Sequence, residues 1–87
     1  MGTKMSHPKT VDRTIVGGKY LVSTVRLFSA DHVPNLYEGH IFETMVFACD
    51  ADGAVTDWME LDGIRYRTID EARTGHNDMV RHWTNRS

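Results

Sequence analysis

The sequence predicts an α+β fold, in which an antiparallel meander of three to four strands carries one C-terminal helix packed on one face. Two observations lead to this prediction. Apolar residues alternate with a period of two through the middle of the chain, and they recur with the helical period of 3.6 near its C-terminus. Turn-forming residues separate the strand-like segments, so the order β-β-β-β-α favours an antiparallel sheet with a helix laid across it.

The 87 residues match one small domain. Residues 1–14 lack apolar periodicity, and we expect a mobile N-terminal tail there. A single α+β domain should cover residues 15–84, followed by a polar C-terminal tail at residues 85–87.

The first two predicted strands are rich in β-branched and aromatic residues. Residues 19–28, KYLVSTVRLF, predict the first strand, and residues 40–49, HIFETMVFAC, predict the second. The segment at residues 29–39 contains Asp, Pro, Asn and Gly and predicts a loop. The second strand is apolar on both faces, which is typical of a strand that is covered on both sides or that awaits a partner.

Two shorter strands are predicted next. The turn DADG leads into a third strand at residues 54–61, AVTDWMEL. Asp62 and Gly63 form a strong hairpin signal, and we expect a short fourth strand, IRYR, at residues 64–67.

The helix has the clearest sequence pattern of all the predicted elements. Thr68 and Glu71 form a capping box, which predicts a helix from Ile69 to near Trp83. Its core-facing stripe consists of Ile69, Ala72, His76, Met79, Val80 and Trp83. Gly75 lies at the edge of this stripe and should let the helix backbone approach the sheet closely.

One helix covers one face of a sheet, so the opposite face is predicted to carry uncovered apolar surface. The candidate interface residues on that face are Tyr20, Phe28, Ile41, Met45 and Phe47. Such a surface indicates self-association or a protein partner. The alternative is that the N-terminal segment or the loop at residues 29–39 folds back over it.

A histidine in a buried helical stripe requires a hydrogen-bond partner. We predict that His76 bonds to a strand carbonyl or to an acid such as Glu43. Glu43 is itself anomalous in an apolar strand, and Arg26 is its first candidate partner. Together Arg26, Glu43 and His76 form a predicted structural polar lock.

Charge is uneven along the chain although the net charge is −2. Residues 1–30 are basic, residues 31–62 hold carboxylates and no lysine or arginine, and residues 63–87 are again rich in arginine. Cross-strand pairing between basic and acidic strands explains this pattern. A second explanation is an acidic face that docks on something basic. Because the helix surface is mixed and the central strands are acidic, we expect no nucleic-acid partner.

The residues that bear reactive side chains do not form a recognisable site. His76 and His82 project about 120° apart on a helix and cannot share one metal ion. DADG lacks the flanking ligands of a calcium loop. Cys49 lies in an apolar run, where burial makes a thiol inert. We therefore expect no metal, no cofactor and no catalytic residue.

The segments FETMVF and EARTGHNDMV, together with KYLVSTVRL, resemble a family of short proteins of unknown function from actinobacterial phages and prophages. The resemblance covers roughly residues 19–83. It implies a phage origin and no particular activity.

These observations predict a small non-enzymatic phage accessory protein that acts through protein–protein contact and self-associates. Its partner is a second copy or a host or phage protein. No apolar run reaches the roughly 20 residues of a membrane span, and one cysteine fits a reducing compartment, so we expect the host cytoplasm and no membrane contact. Two alternatives stay open: a minor structural component of the virion, and an enzyme or small-ligand binder built around His76.

Overall fold

The fold is a four-stranded antiparallel sheet with one helix packed on it, as the sequence predicts. The computed structural model describes residues 9–27 and 41–86. The strands lie in chain order across the sheet, and each hydrogen-bonds to the next. The elements are β1 (Lys9–Val16), β2 (Tyr20–Arg26), β3 (Phe42–Cys49), β4 (Val55–Tyr66) and α1 (Ile69–Arg86).

Strand β1 corrects the predicted N-terminal tail, because its residues pair with β2 from Lys9 onward. Residues 1–8 lie outside the described part of the chain. The connection to β2 is a tight turn in which Gly17 and Gly18 have φ values of 61° and 69°. A turn with two positive φ values matches the twist of a hairpin, and it needs glycine because other residues strain there.

Strand β4 corrects the predicted hairpin at Asp62 and Gly63. The two predicted strands are one strand of 12 residues, and both hairpin residues lie inside it. Its register shifts along β3: Val46 pairs with Asp62, whereas Ala48 pairs with Asp57. Residues 58–61 of β4 thus lie opposite the single residue Phe47 of β3, so this segment forms a bulge.

Helix α1 begins as predicted, with the Thr68 hydroxyl accepting a hydrogen bond from the Glu71 backbone N–H at 3.1 Å. The Glu71 carboxylate accepts from the backbone N–H of Arg67, one residue before the cap, and not from the cap itself. The helix continues to Arg86, so the predicted tail at 85–87 is wrong for its first two residues.

The core lies between α1 and one face of the sheet. Its buried members come from three strands and the helix: Val16, Val22, Val46, Met79 and Trp83. Gly75 faces Tyr66, and a Cβ at Gly75 would overlap the Tyr66 ring. The close approach expected at this glycine is therefore made by an aromatic side chain of β4.

The opposite face also contains buried apolar side chains, namely Leu21, Val25, Phe47 and Cys49. The turn between β3 and β4 closes one end of this face. Arg13 donates a hydrogen bond to the carbonyl oxygen of Gly53 at 2.8 Å, and Gly53 is packed close to Ile15. The sequence predicts that the N-terminal segment or the 29–39 loop could cover the rest of this face. Residues 1–8 and that loop lie outside the described residues.

Candidate functional site

The largest fully buried side chain is the polar His76, which lies on the helix-covered face and is 1% exposed. Its Nδ1 lies 2.7 Å from the Thr24 hydroxyl, and its Nε2 lies 2.9 Å from the Thr14 hydroxyl. The Thr24 hydroxyl in turn lies 2.5 Å from that of Thr44. We call these four residues the histidine–threonine cluster. It joins α1 to three strands through side-chain hydrogen bonds.

The cluster satisfies a neutral imidazole. A neutral histidine has one N–H donor and one acceptor nitrogen, and a hydroxyl can serve either. Burial lowers the pKa of His76, while the Asp12 carboxylate, 3.8 Å from Nε2, opposes that shift. Burial dominates because Asp12 is half exposed, so its charge is screened by water.

The predicted polar lock of Arg26, Glu43 and His76 does not form. His76 bonds to threonine hydroxyls instead. Glu43 pairs with Arg65, at 3.4 Å, on the face opposite the helix. Alternation explains the error, since Glu43 shares its face with Met45 and Phe47 and cannot reach His76 across the sheet. Arg26 is exposed at the end of β2, beside a cavity that Lys9 also lines.

The predicted interface residues do not form one surface. Tyr20 lies on the helix-covered face, where its ring packs against Trp83 with centroids 4.8 Å apart. That corrects its placement beside Met45, because Tyr20 pairs with Ala48 and so shares the face of Ala48. Phe28 lies outside the described residues. Ile41 and Met45 are partly buried.

Phe47 is buried, and the side chain that packs on it comes from β4. The rings of Phe47 and Trp58 meet edge to face, with centroids 5.3 Å apart. Trp58 itself is 74% exposed, Met59 68% and Leu61 42%. These three side chains, which we call the outer-strand patch, lie in the bulged part of a strand at the edge of the sheet.

A groove follows the seam between α1 and the end of β4, and Tyr66 divides it into two cavities. The first, of about 340 Å³, is lined by Asp62, Ile64, Met79 and His82. The second, of about 470 Å³, is lined by Asp70, Glu71 and Thr74. Tyr66 and Asp78 line both. Carboxylates therefore occur along the whole length of this α1–β4 groove.

Two side chains in the groove have well-defined environments. Asp62 accepts hydrogen bonds from Trp83 Nε1 at 3.1 Å and from the Gly63 backbone N–H at 2.9 Å, which fixes its carboxylate. The Tyr66 hydroxyl is buried and has no hydrogen-bond partner among the described residues. Burial raises the pKa of Tyr66, the nearby Thr44 side chain lowers it, and the negative charges of Asp78 and Asp62 raise it by less.

Within residues 9–27 and 41–86, no three His, Cys, Asp or Glu side chains are grouped so as to hold a metal ion. Cys49 is buried, and burial together with the nearby Asp50 charge raises the pKa of its thiol. In the same part of the chain, no helix combines the length and the apolar character of a membrane span.

Comparison with known proteins adds no relative: no family model, no curated protein and no solved structure matches this chain.

The sequence did contain signals for the parts that were missed. Gly17 and Gly18 between two short segments are a hairpin signal, and they would have indicated β1. Thr24 and Thr44 alternate with buried valines in their strands, so they point into the same core as His76. A threonine at such a position is available to bond a buried histidine.

Proposed function

We propose that this protein is a small non-enzymatic accessory protein that acts through protein–protein contact inside the cell, and that its first partner is a second copy of itself. The resemblance of the sequence to phage proteins supports a role in phage infection. The outer-strand patch is the observation that carries the proposal. Large apolar side chains exposed on an edge strand are a common mark of an interaction surface.

The histidine–threonine cluster supports a structural role for His76. Its ring is 1% exposed, and both ring nitrogens are occupied by threonine hydroxyls. A general base must be able to reach a substrate proton, directly or through one water molecule. His76 is thus arranged to join α1 to the sheet.

The charges of β4 favour a second copy as the partner. Asp57, Glu60 and Asp62 lie in or beside the patch, whereas Arg65 and Arg67 follow it. Two copies of such a strand that meet in antiparallel orientation bring the acidic part of each against the basic part of the other. A parallel arrangement opposes like charges, which is unfavourable. The strand is therefore self-complementary about a two-fold axis, the commonest symmetry of homodimers.

The bulge limits how the copies can meet. A bulged edge does not accept a long regular ladder of backbone hydrogen bonds from a neighbour. Side-chain contact through Trp58, Met59 and Leu61 is consequently the main source of binding energy, with the charged residues setting the orientation.

Light scattering coupled to size-exclusion chromatography tests the proposal. We expect the wild type to have the mass of two chains and the Met59→Asp variant to have the mass of one, because a carboxylate at this position must be desolvated on association. Met59 is chosen because it is 68% exposed, so its replacement leaves the core intact. Thr10→Asp, an exposed site on the opposite edge strand, is the matched control and should stay dimeric.

A charge exchange tests the orientation. Asp57→Arg should weaken the dimer, and adding Arg67→Asp should restore it. A wild type that has the mass of one chain at every concentration tested would refute self-association. A double variant that is weaker than either single variant would refute the antiparallel arrangement alone.

A further inference from the structure

Apart from Asp62, the residues that line the α1–β4 groove have no part in the proposed dimer contact. The groove runs beside the helix from Asp70 to His82, which is about 18 Å at the rise of an α-helix. Ile64 and Met79 supply an apolar floor in its first cavity. Asp62, Asp70, Glu71 and Asp78 supply carboxylates along its length.

The cationic groups near these carboxylates do not neutralise the groove. Arg81 lies 3.4 Å from Asp78, but both side chains are about two-thirds exposed, so the pair is solvated and weak. His82 is exposed at one end of the first cavity. Asp62 and Asp78 line the first cavity together with Tyr66, and Asp78 also lines the second, so carboxylates stand on both sides of the Tyr66 ring.

The buried hydroxyl of Tyr66 also points to a ligand in the groove. A buried hydroxyl without a hydrogen-bond partner is uncommon and unfavourable, by about 1–3 kcal/mol. It lies in the wall between the two cavities, against the notch left by Gly75. A ligand that offers an acceptor there, such as a backbone carbonyl, supplies the missing partner once the ring shifts toward it.

We propose that the α1–β4 groove binds an extended basic segment of a partner protein, with lysine or arginine side chains at the carboxylates and the peptide backbone across Tyr66. About five or six extended residues span the groove, at about 3.3 Å per residue. The acidic lining selects cations, and the two cavities on either side of Tyr66 accept alternate side chains. An anionic partner such as a nucleic acid is disfavoured by the same charges.

Fluorescence anisotropy with a labelled hexapeptide of alternating lysine and glycine tests this inference. We expect saturable binding that weakens as salt is added, and no binding of the matching glutamate–glycine or glutamine–glycine peptides. Asp78→Lys should weaken the lysine peptide at least tenfold. Asp78 borders both cavities and is 64% exposed, so the fold should tolerate the change.

Asp52→Lys is the matched control, because it makes the same charge reversal at an exposed turn residue away from the groove. It should change the affinity less than twofold. Tyr66→Phe should weaken the peptide about threefold by removing the hydroxyl, with the circular dichroism spectrum checked for folding. Equal losses from Asp52→Lys and Asp78→Lys, or equal binding of the glutamine peptide, would overturn the proposal.

The same variants separate this site from the dimer contact. Met59→Asp should keep the peptide affinity of the wild type, and Asp78→Lys should keep the dimer mass. If Asp78→Lys instead converts the protein to single chains, a second copy of this chain occupies the groove and the basic partner is refuted.

Discussion

The two edge strands of the sheet are attached to the rest of the molecule by different chemistry. Strand β1 contributes Val16 to the core and is otherwise attached through polar groups: the Thr14 hydroxyl bonds His76 and the Arg13 guanidinium bonds the Gly53 carbonyl. Strand β4 is attached through aromatic and acidic groups, with Tyr66 against Gly75 and Asp62 holding the indole of Trp83.

The difference shows where further contacts can form. Both edge strands carry charged residues and a break in register, two features that discourage backbone pairing with another chain. Strand β4 leaves its large apolar side chains exposed and the Tyr66 hydroxyl without a partner. Both the dimer contact and the basic-peptide groove proposed above therefore belong to β4.

The largest effect should come from breaking the β1 attachment. His76→Leu removes both hydrogen bonds of the ring and leaves the Thr14 and Thr24 hydroxyls short of a partner. We expect the free energy of unfolding to fall by about 3 kcal/mol, measured by urea denaturation. Amide exchange should show β1 losing protection before β4.

His82→Leu is the control for that change, since His82 is an exposed histidine on the same helix. It should alter the free energy of unfolding by less than about 0.5 kcal/mol. Equal effects of the two substitutions would mean that the histidine–threonine cluster does not stabilise the fold.

A substitution at the β4 attachment should change the free energy of unfolding by less, and the sign of that change should depend on whether the Tyr66 ring is present. Gly75→Ala places a methyl group where the Tyr66 ring lies, and we expect a loss of about 2 kcal/mol from overpacking. In a Tyr66→Ala background the same substitution should stabilise by up to about 1 kcal/mol, because alanine favours a helix more than glycine does. A loss in both backgrounds would show that the ring is not the cause.

The two attachments also differ in how far the sequence predicts them. Apolar periodicity predicts the helix and the strands β2 and β3, because packing determines which residues they contain. The spacing of Thr68 and Glu71 predicts the helix cap. Strand β1 was missed because its helix-facing positions include Asp12 and Thr14, whose polar side chains serve the His76 ring and give no apolar period. A strand that is attached by hydrogen bonds does not have the hydrophobic pattern of one that is attached by packing.

Strand β4 was divided in two for a related reason. Asp62 and Gly63 have the composition of a hairpin turn, but the Asp62 carboxylate is used to hold Trp83, 21 positions further along. To predict the partners of His76 and Glu43, one needs the register and the face of each strand. Both depend on pairings across the sheet. Local sequence patterns contain the residue types of such a site but not the pairings.

The smallest effect should come from lowering the pH, which should weaken the attachment of β1 and leave that of β4 unchanged. Because burial lowers the pKa of His76 below its value in the unfolded chain, the unfolded chain binds more protons, and the free energy of unfolding falls with decreasing pH. The contribution is complete above the unfolded pKa of about 6.5 and is lost progressively below it.

The measurement is the difference in the free energy of unfolding between the wild type and His76→Leu from pH 8 to pH 5, which cancels the titration of the carboxylates common to both. The difference should shrink as the pH falls, and β1 amides should lose protection while β4 amides keep theirs. Asp12 is the acidic group that lies near the ring, and it opposes the effect. A difference that stays constant or grows in acid would mean that Asp12, not burial, controls His76, and that β1 is attached by an ion pair.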